Sequence, residues 1–299
     1  MYETHFGLRS SPFRSTPDSS FYVNLLGHHN ALDTLQIALE GGEGIVKVTG
    51  EVGTGKSMLC RRLLKELGSG FVAAYLPYPA LSPTHMQLDL AEALGVVLPP
   101  SPTPHQILKY TKEVLLDFRN HGQRCVVIVD EAQTLPDATL ECIRLLSNLE
   151  SGEDKLLQIV LVGQPELDWR IEQPQLRQLQ QRVAFSHKLA SIDRGTTDAY
   201  IRSRLHIAGF GQGQLFSPWA VRAIHRASRG VPRVINTLCH KSMICAYGRG
   251  EHTIRLAHVR RATADTEGVG MWRNVASRPW KPRHKPSNHS PTVGTTADF

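Results

Sequence analysis

Residues Ile45 to Ser57, IVKVTGEVGTGKS, constrain this chain more than any other stretch. A short apolar run enters a glycine-rich turn, and a helical pattern opens at Ser57-Met58-Leu59. Gly50 to Ser57 fit G-x-x-x-x-G-K-[ST], the phosphate-binding loop. The residue types have physical reasons. Glycines let backbone N–H groups turn inward around phosphate oxygens, and the helix N-terminus adds a favourable dipole. Gly50, Glu51, Val52, Gly53, Thr54, Gly55, Lys56 and Ser57 are therefore the expected nucleotide cradle. Lys56 is expected to reach the β- and γ-phosphates, and the Ser57 hydroxyl to ligate Mg²⁺. A random chain of this length meets the pattern about one time in a hundred. Here it sits between a strand pattern and a helix pattern, as the loop requires.

Arg124 to Glu131, RCVVIVDE, is the second chemical landmark. A continuous apolar run suits a strand buried on both faces of a parallel sheet. Asp130 and Glu131 close it at the C-terminal end, where open α/β sheets bind ligands. Asp130 is expected to hold Mg²⁺ through water, and Glu131 to act as general base on the attacking water. An acidic helix start would place the same pair for dipole reasons alone. Their position about seventy residues after a phosphate loop argues for the catalytic role.

Phe71 to Leu76, Leu156 to Gly163 and Val183 to Leu189 read as further strands. Helical spacing predicts helices over 28–40, 57–67, 84–94, the stretch from Ile107 to Gly122, and 137–150. Gln164 stands at the tip of the fourth strand. Its amide is either a partner for the γ-phosphate or the water, or an ordinary glutamine in a turn. Spacing does not choose between them. Arg177 and Arg182 precede the fifth strand, where exposed helix-end arginines are usually solvated charge.

From Thr196 the period is helical throughout, with helices near 196–208, 217–229, 233–247 and 255–264. Arg233 falls in the first turn of the third, where a cation opposes the helix dipole and an anion is expected nearby. The expected organisation is an arm over 1–24, an α/β core over 25–192, an all-α domain over 193–267, and a disordered basic tail over 268–299. In the arm, the aromatics near Phe6, Phe13 and Phe21 either pack beside a nucleobase or only cover the core. Trp272 and Trp280 in the tail are candidates for a docking motif.

Formal net charge is +7, and the tail from Met271 carries five Lys or Arg against Asp298, or +4 of it. The basicity then reads mostly as a tail property, a weak argument for nucleic acid as the main ligand. The five cysteines are odd in number and include no C-x-x-C pair, which argues against a zinc site and suits buried free thiols in a reducing compartment. No apolar run approaches the ~18 residues that span a bilayer, and the N-terminus lacks a signal-peptide layout. A cytoplasmic location is expected.

The phosphate loop, Asp130-Glu131-Ala132-Gln133, Gly163-Gln164-Pro165-Glu166-Leu167, Leu176 to Val183 and Arg229 to Asn236 together resemble the AAA+ ATPases. With Phe6-Gly7-Leu8 and Pro12-Phe13, the match is to the ExeA/GspA branch, which serves bacterial secretion and pilus machines. Within it, Leu59-Cys60-Arg61, Leu238 to Lys241 and Ala246-Tyr247-Gly248 are similar to the ATPases of mannose-sensitive haemagglutinin (MSHA, type IV) pilus biogenesis. The resemblance covers residues 1 to about 267. It implies a P-loop NTPase sheet of order 5-1-4-3-2, a C-terminal α-helical lid, and ATP with Mg²⁺ between the subunits of a homo-oligomeric ring. Gln164 then corresponds to sensor 1, Arg233 to sensor 2, and Arg182, with Arg177 as second choice, to the arginine finger. Ser57 replaces the commoner Thr, and Gln164 the commoner Asn. Partners implied are assembly proteins at the inner membrane. Transposition ATPases of the MuB/TniB type share the same motifs, so a DNA-binding regulatory ATPase is the alternative.

Overall fold

The structure is a computed structural model that describes residues 2–14, 21, 23, 25–78, 82–152, 154–211, 213–267 and 269. The tail with Trp272 and Trp280 lies outside the described residues, as do Thr16 to Asp18 in the arm. Chain order begins α1 (Leu26–Glu40), β1 (Ile45–Gly50), α2 (Lys56–Glu66), β2 (Phe71–Leu76), α3 (Pro83–Ala93) and α4 (Pro104–Asn120). It continues with β3 (Arg124–Val129), α5 (Asp137–Leu146), the short strands β4 (Glu150–Ser151) and β5 (Asp154–Lys155), and β6 (Leu157–Gly163). Then come α6 (Pro165–Ile171), α7 (Arg177–Arg182) and β7 (Val183–Leu189). A bundle of α8 (Arg194–Ile207), α9 (Pro218–Ser228), α10 (Pro232–Tyr247) and α11 (Leu256–Ala264) completes the described elements.

The five long strands form one parallel sheet in the order β2-β3-β6-β1-β7. Numbered one to five along the chain, this is the expected 5-1-4-3-2. Alternation along each strand divides the side chains between two faces. Val46, Val48, Val126, Ile128, Val160 and Val162 pack with Leu35 of α1 and Leu63 of α2. Ile45, Val127, Val129, Ile159 and Leu161 pack with Leu90 of α3 and Leu140 and Ile143 of α5. Helices cover both faces, which is why β3 and β6 read as unbroken apolar runs. All five cysteines are free, and all but Cys245 are buried. Among the described residues no helix is long and apolar enough to cross a membrane.

Two local readings are corrected. The helix expected over 137–150 ends at Leu146, where Ser147 donates its hydroxyl back to the Arg144 carbonyl at 2.7 Å and the chain enters the β4–β5 hairpin. Gln164-Pro165 is not a plain turn. Pro165 opens the two-turn helix α6, with Glu166 and Asp168 in its first turn and Leu167 and Ile171 buried. Seven residues are too few to show a helical period in sequence.

The arm packs on the helical bundle rather than on the sheet. Tyr2, Phe6, Leu8, Phe13, Phe21 and Leu25 share one core with Ile201, Phe216, Ile224, Leu238 and Met243. Phe13 meets Phe216 edge to face, with centroids 6.0 Å apart. Backbone and side chain tie the same contact: Arg9 N–H donates to the Ala208 carbonyl at 2.7 Å, and Arg204 Nε to the Pro12 carbonyl at 2.6 Å. Phe13→Ala is expected to cost about 3–5 kcal/mol of unfolding free energy, the usual range for a fully buried phenylalanine. Urea denaturation measures it. A loss below about 1 kcal/mol would show that the arm is not part of the bundle core.

Candidate functional site

In the sheet order, β6 lies between β3 and β1. Their C-terminal ends therefore bring Asp130-Glu131, Gln164 and the loop after Gly50 to one place. The helical bundle closes the other side, leaving a cleft of about 450 Å³ lined by Lys56, Ser57, Glu131, Gln164 and Arg233 among others. Arg233 N–H donates to the Gly53 carbonyl at 3.2 Å, so bundle and loop touch through backbone. Gly53 has φ +83°, and a Cβ there would lie 2.6 Å from the Arg233 Cβ. Only glycine allows both the turn and this approach.

Lys56 is buried under the loop, and its ammonium donates to the carbonyls of Gly50 at 2.7 Å and Glu51 at 3.1 Å. Burial lowers its pKa, opposed by the nearby charges of Glu131, Asp130 and Glu51. Asp130 is 2% exposed and fully bonded. Its Oδ2 accepts from the Ser57 hydroxyl at 2.8 Å and the Tyr75 hydroxyl at 2.9 Å, and its Oδ1 from the Glu131 N–H at 2.9 Å. Ser57 lines the cleft with buried Asp130 bonded behind it, and both are hard oxygen donors, the chemistry that suits Mg²⁺.

Glu131 takes a left-handed backbone, φ +53°, rare for a residue with a side chain and common at functional sites. Its Oε2 accepts from two amides, Gln133 Nε2 at 2.6 Å and Gln164 Nε2 at 3.3 Å. Gln133 Oε1 in turn accepts from the Gln164 N–H at 3.0 Å, and Arg170 donates to the Gln133 carbonyl at 2.9 Å. Gln164 thus touches the carboxylate beside it. Gln133 stood in the sequence only as a motif letter after Asp-Glu; its role depends on β6 lying beside β3.

Besides the loop, the cleft is lined by Phe21, Leu25, His28, Tyr200 and Arg204. Phe21 joins the bundle core and also lines the cleft. His28 is buried against the loop, and a Cβ on Gly55, at φ +102°, would meet its Nε2 at 2.5 Å. Burial lowers the His28 pKa and keeps the ring neutral near pH 7. Arg204 lies with its guanidinium 5.2 Å from the Phe21 ring centroid and donates to the Tyr200 hydroxyl at 2.9 Å. No spacing in the sequence joins these residues; α1, α8 and the arm meet only in three dimensions. Arg177 and Arg182 are exposed on α7 beside the edge strand β7 and do not line the cleft. The structure does not bring them to the other site residues of the same chain.

The parallel sheet, the loop at the end of β1 and the carboxylate pair at the end of β3 decide the fold. It is a P-loop AAA fold. Residues 39–171 match the family model described as AAA domain. The chain is 38% identical over 277 residues to General secretion pathway protein A of Aeromonas hydrophila, covering 92% of this chain. It spans 50% of the length of that relative. In structure it is similar to Cdc6p from Pyrobaculum aerophilum, with a TM-score of 0.63, 19% identity, and coverage of 84% of this chain and 71% of that one. It is also similar to the RuvB Holliday junction branch migration motor of Thermotoga maritima, with a TM-score of 0.53, 17% identity, and coverage of 86% and 73%. At such identities these two likenesses speak for the AAA fold alone.

Gln133→Leu removes the short amide bond to Glu131 while keeping side-chain bulk. It is expected to lower kcat by about 10-fold or more, as for a misplaced catalytic group, with little change in ATP affinity. Steady-state turnover and equilibrium binding of an ATP analogue separate the two. An unchanged kcat would show that Gln133 does not position the carboxylate.

Proposed function

We propose that this chain binds ATP with Mg²⁺ and hydrolyses it to ADP and phosphate, as an AAA+ ATPase of the ExeA/GspA type. The observation that carries the reading is the convergence in one cleft of Lys56, the Ser57–Asp130 pair and the amide-held Glu131. The likeness to General secretion pathway protein A supports a role in driving or regulating assembly of a bacterial envelope machine. Within that role we favour MSHA or type IV pilus biogenesis, or general secretion. The working location is the cytoplasmic side of the inner membrane, and the working form a homo-oligomeric ring. We read residues 25–192 as the ATPase core, 193–267 as its lid, 1–24 as an arm that belongs to the lid, and 268–299 as a basic tail.

The chain's own residues supply the steps. Loop N–H groups and the α2 N-terminus hold the phosphates. Lys56 already bonds two neutral carbonyls, and exchanges them for phosphate oxygens with charge assistance. Ser57 and Asp130 would hold Mg²⁺, which supplies charge neutralisation on the phosphates when bound. Glu131 takes a proton from the attacking water, and the Gln133 and Gln164 amides fix the carboxylate for it. Arg233 reaches the cleft from the lid as the sensor 2 residue, and Gln164 serves as sensor 1. Arg182 acts on the nucleotide of a neighbouring subunit, because on its own chain it stands outside the cleft.

Lys56→Ala is expected to abolish tight ATP binding, since no other loop residue carries a positive charge. Glu131→Gln is expected to bind ATP and lose about 10²–10⁴ in rate. A fluorescent ATP analogue and a phosphate-release assay read the two effects. Unchanged affinity in a folded Lys56→Ala protein, or wild-type turnover in Glu131→Gln, would remove the corresponding assignment.

Arg182→Ala is expected to bind ATP normally and lose about 10³–10⁵ in turnover. Mixed with Glu131→Gln, it should regain part of the activity, because some interfaces then pair an intact Glu131 with an intact Arg182. Two variants that stay inactive on mixing, although crosslinking shows mixed oligomers, would count against action between subunits. Rescue by Arg177→Ala instead, with Arg182→Ala active, would assign the finger to Arg177.

A further inference from the structure

Outside the tail, the charge of this chain is divided between two bodies of opposite sign. Residues 1–192 carry 17 Lys or Arg against 21 Asp or Glu, a net −4. Residues 193–267 carry 12 against five, a net +7. The reading of basicity as mostly a tail property is therefore incomplete: the folded bundle is more basic than the tail. Between Asp198 and Glu251 lie 52 residues with eight Lys or Arg and no carboxylate side chain. Ordinary composition, about one acid in eight residues, would place about six there. Helices α9, α10 and α11 all lack Asp and Glu.

The fold decides where these cations stand. α9 turns Ala220, Val221 and Ile224 into the bundle core. That leaves Trp219, Arg222 and Arg226, at i, i+3 and i+7, on the opposite face, all exposed. Trp219 is 66% exposed, and the Arg222 guanidinium lies 5.8 Å from its ring centroid. α11 packs against α9 and α10 and exposes Arg260 and Arg261. Four of the five carboxylates of this body are engaged: Asp193 with the Thr196 N–H, Asp198 with Arg202, Asp265 with Lys241, and Glu251 beside His258; Glu267 follows α11. Among the described residues Arg222, Arg226 and Arg260 are in no ion pair.

We propose that this face of α9, with the exposed arginines of the adjoining α11, docks on an anionic phospholipid bilayer. A bilayer uses every feature of it. Arginines bind lipid phosphates, and an exposed tryptophan among them sits at headgroup level. The apolar side of α9 is already consumed by the bundle, so the helix does not embed as an in-plane amphipathic helix does. Binding is shallow and electrostatic. A nucleic acid fits less well. A duplex leaves the Trp219 ring no base to stack on, and a single strand is held in a groove with successive rings, whereas α9 exposes one. The docking needs no ATP turnover, so it stands or falls separately from the ATPase reading.

The test uses the full chain and sedimentation with vesicles of phosphatidylcholine, with and without about 30% phosphatidylglycerol, at low and moderate salt. Binding is expected to need phosphatidylglycerol and to fall steeply as salt rises. Each arginine removed should lower the partition coefficient about fivefold, so Arg222→Gln/Arg226→Gln/Arg260→Gln should lose about a hundredfold although it retains the basic tail. The single substitutions give the same slope should the triple variant melt early. Vesicles should also shift wild-type tryptophan emission to the blue, and this shift should be smaller in Trp219→Phe. Binding by the triple variant within about threefold of wild type would overturn the proposal. So would equal binding to pure phosphatidylcholine, or a 30-base-pair DNA duplex that displaces the protein from vesicles at equal phosphate concentration.

Discussion

The carboxylate of Asp130 holds the site together. It is a buried charge, and a buried charge is tolerated only with its bonding capacity met. Three donors from three segments meet it: Ser57 from α2, Tyr75 from the end of β2, and the Glu131 N–H from the turn after β3. Each donor fixes something the chemistry needs. Ser57 ties the first turn of the helix after the phosphate loop to the end of β3. The bond to the Glu131 N–H accompanies the left-handed turn that aims the Glu131 side chain. Tyr75 ties the edge strand β2 to the same oxygen, and its own ionisation is pushed upward by burial and by the Asp130 charge beside it.

A second layer of bonds joins the sheet to the helical bundle. Arg233 N–H reaches Gly53, Ile192 N–H reaches Gly230, and the arm fastens to α8 through Arg204 and Arg9. The cleft is walled by both bodies. A ligand that touches both favours the arrangement in which its contacts to each are made, and by no more than the difference in those contacts. The arm matters here because it is not a passive cover. It completes the bundle core with Phe13 and presents Phe21 to the cleft, with Leu25 following it.

The charge division gives the two bodies different relations to their surroundings. Residues 1–192 are net −4, while α9 to α11 carry cations and no carboxylate side chain. Like charges on one small body cost stability through mutual repulsion. Such an arrangement persists most readily where an external anion offsets it.

The sequence by itself determined the strand order's ingredients and the chemical core of the site. Four apolar runs, a fifth strand pattern at Val183 to Leu189, a loop with fixed spacing and an Asp-Glu at a strand end are local signals, because each depends on backbone period or on adjacent residues. Lys56, Ser57, Asp130 and Glu131 were legible for that reason. The short helix α6 and the end of α5 were not, since one or two turns of helix leave too little period to read. Gln133, Tyr75, His28 and Arg204 were also out of reach. Their roles come from strands and helices made neighbours by the fold, 33 positions apart for Glu131 and Gln164 and 192 for Arg204 and Pro12. Only the tertiary structure decided which side of α9 is buried against the core, and hence that its arginines share one exposed face with Trp219. Burial of an apolar face is a property of what packs against a helix, and a one-dimensional pattern records the face but not the partner.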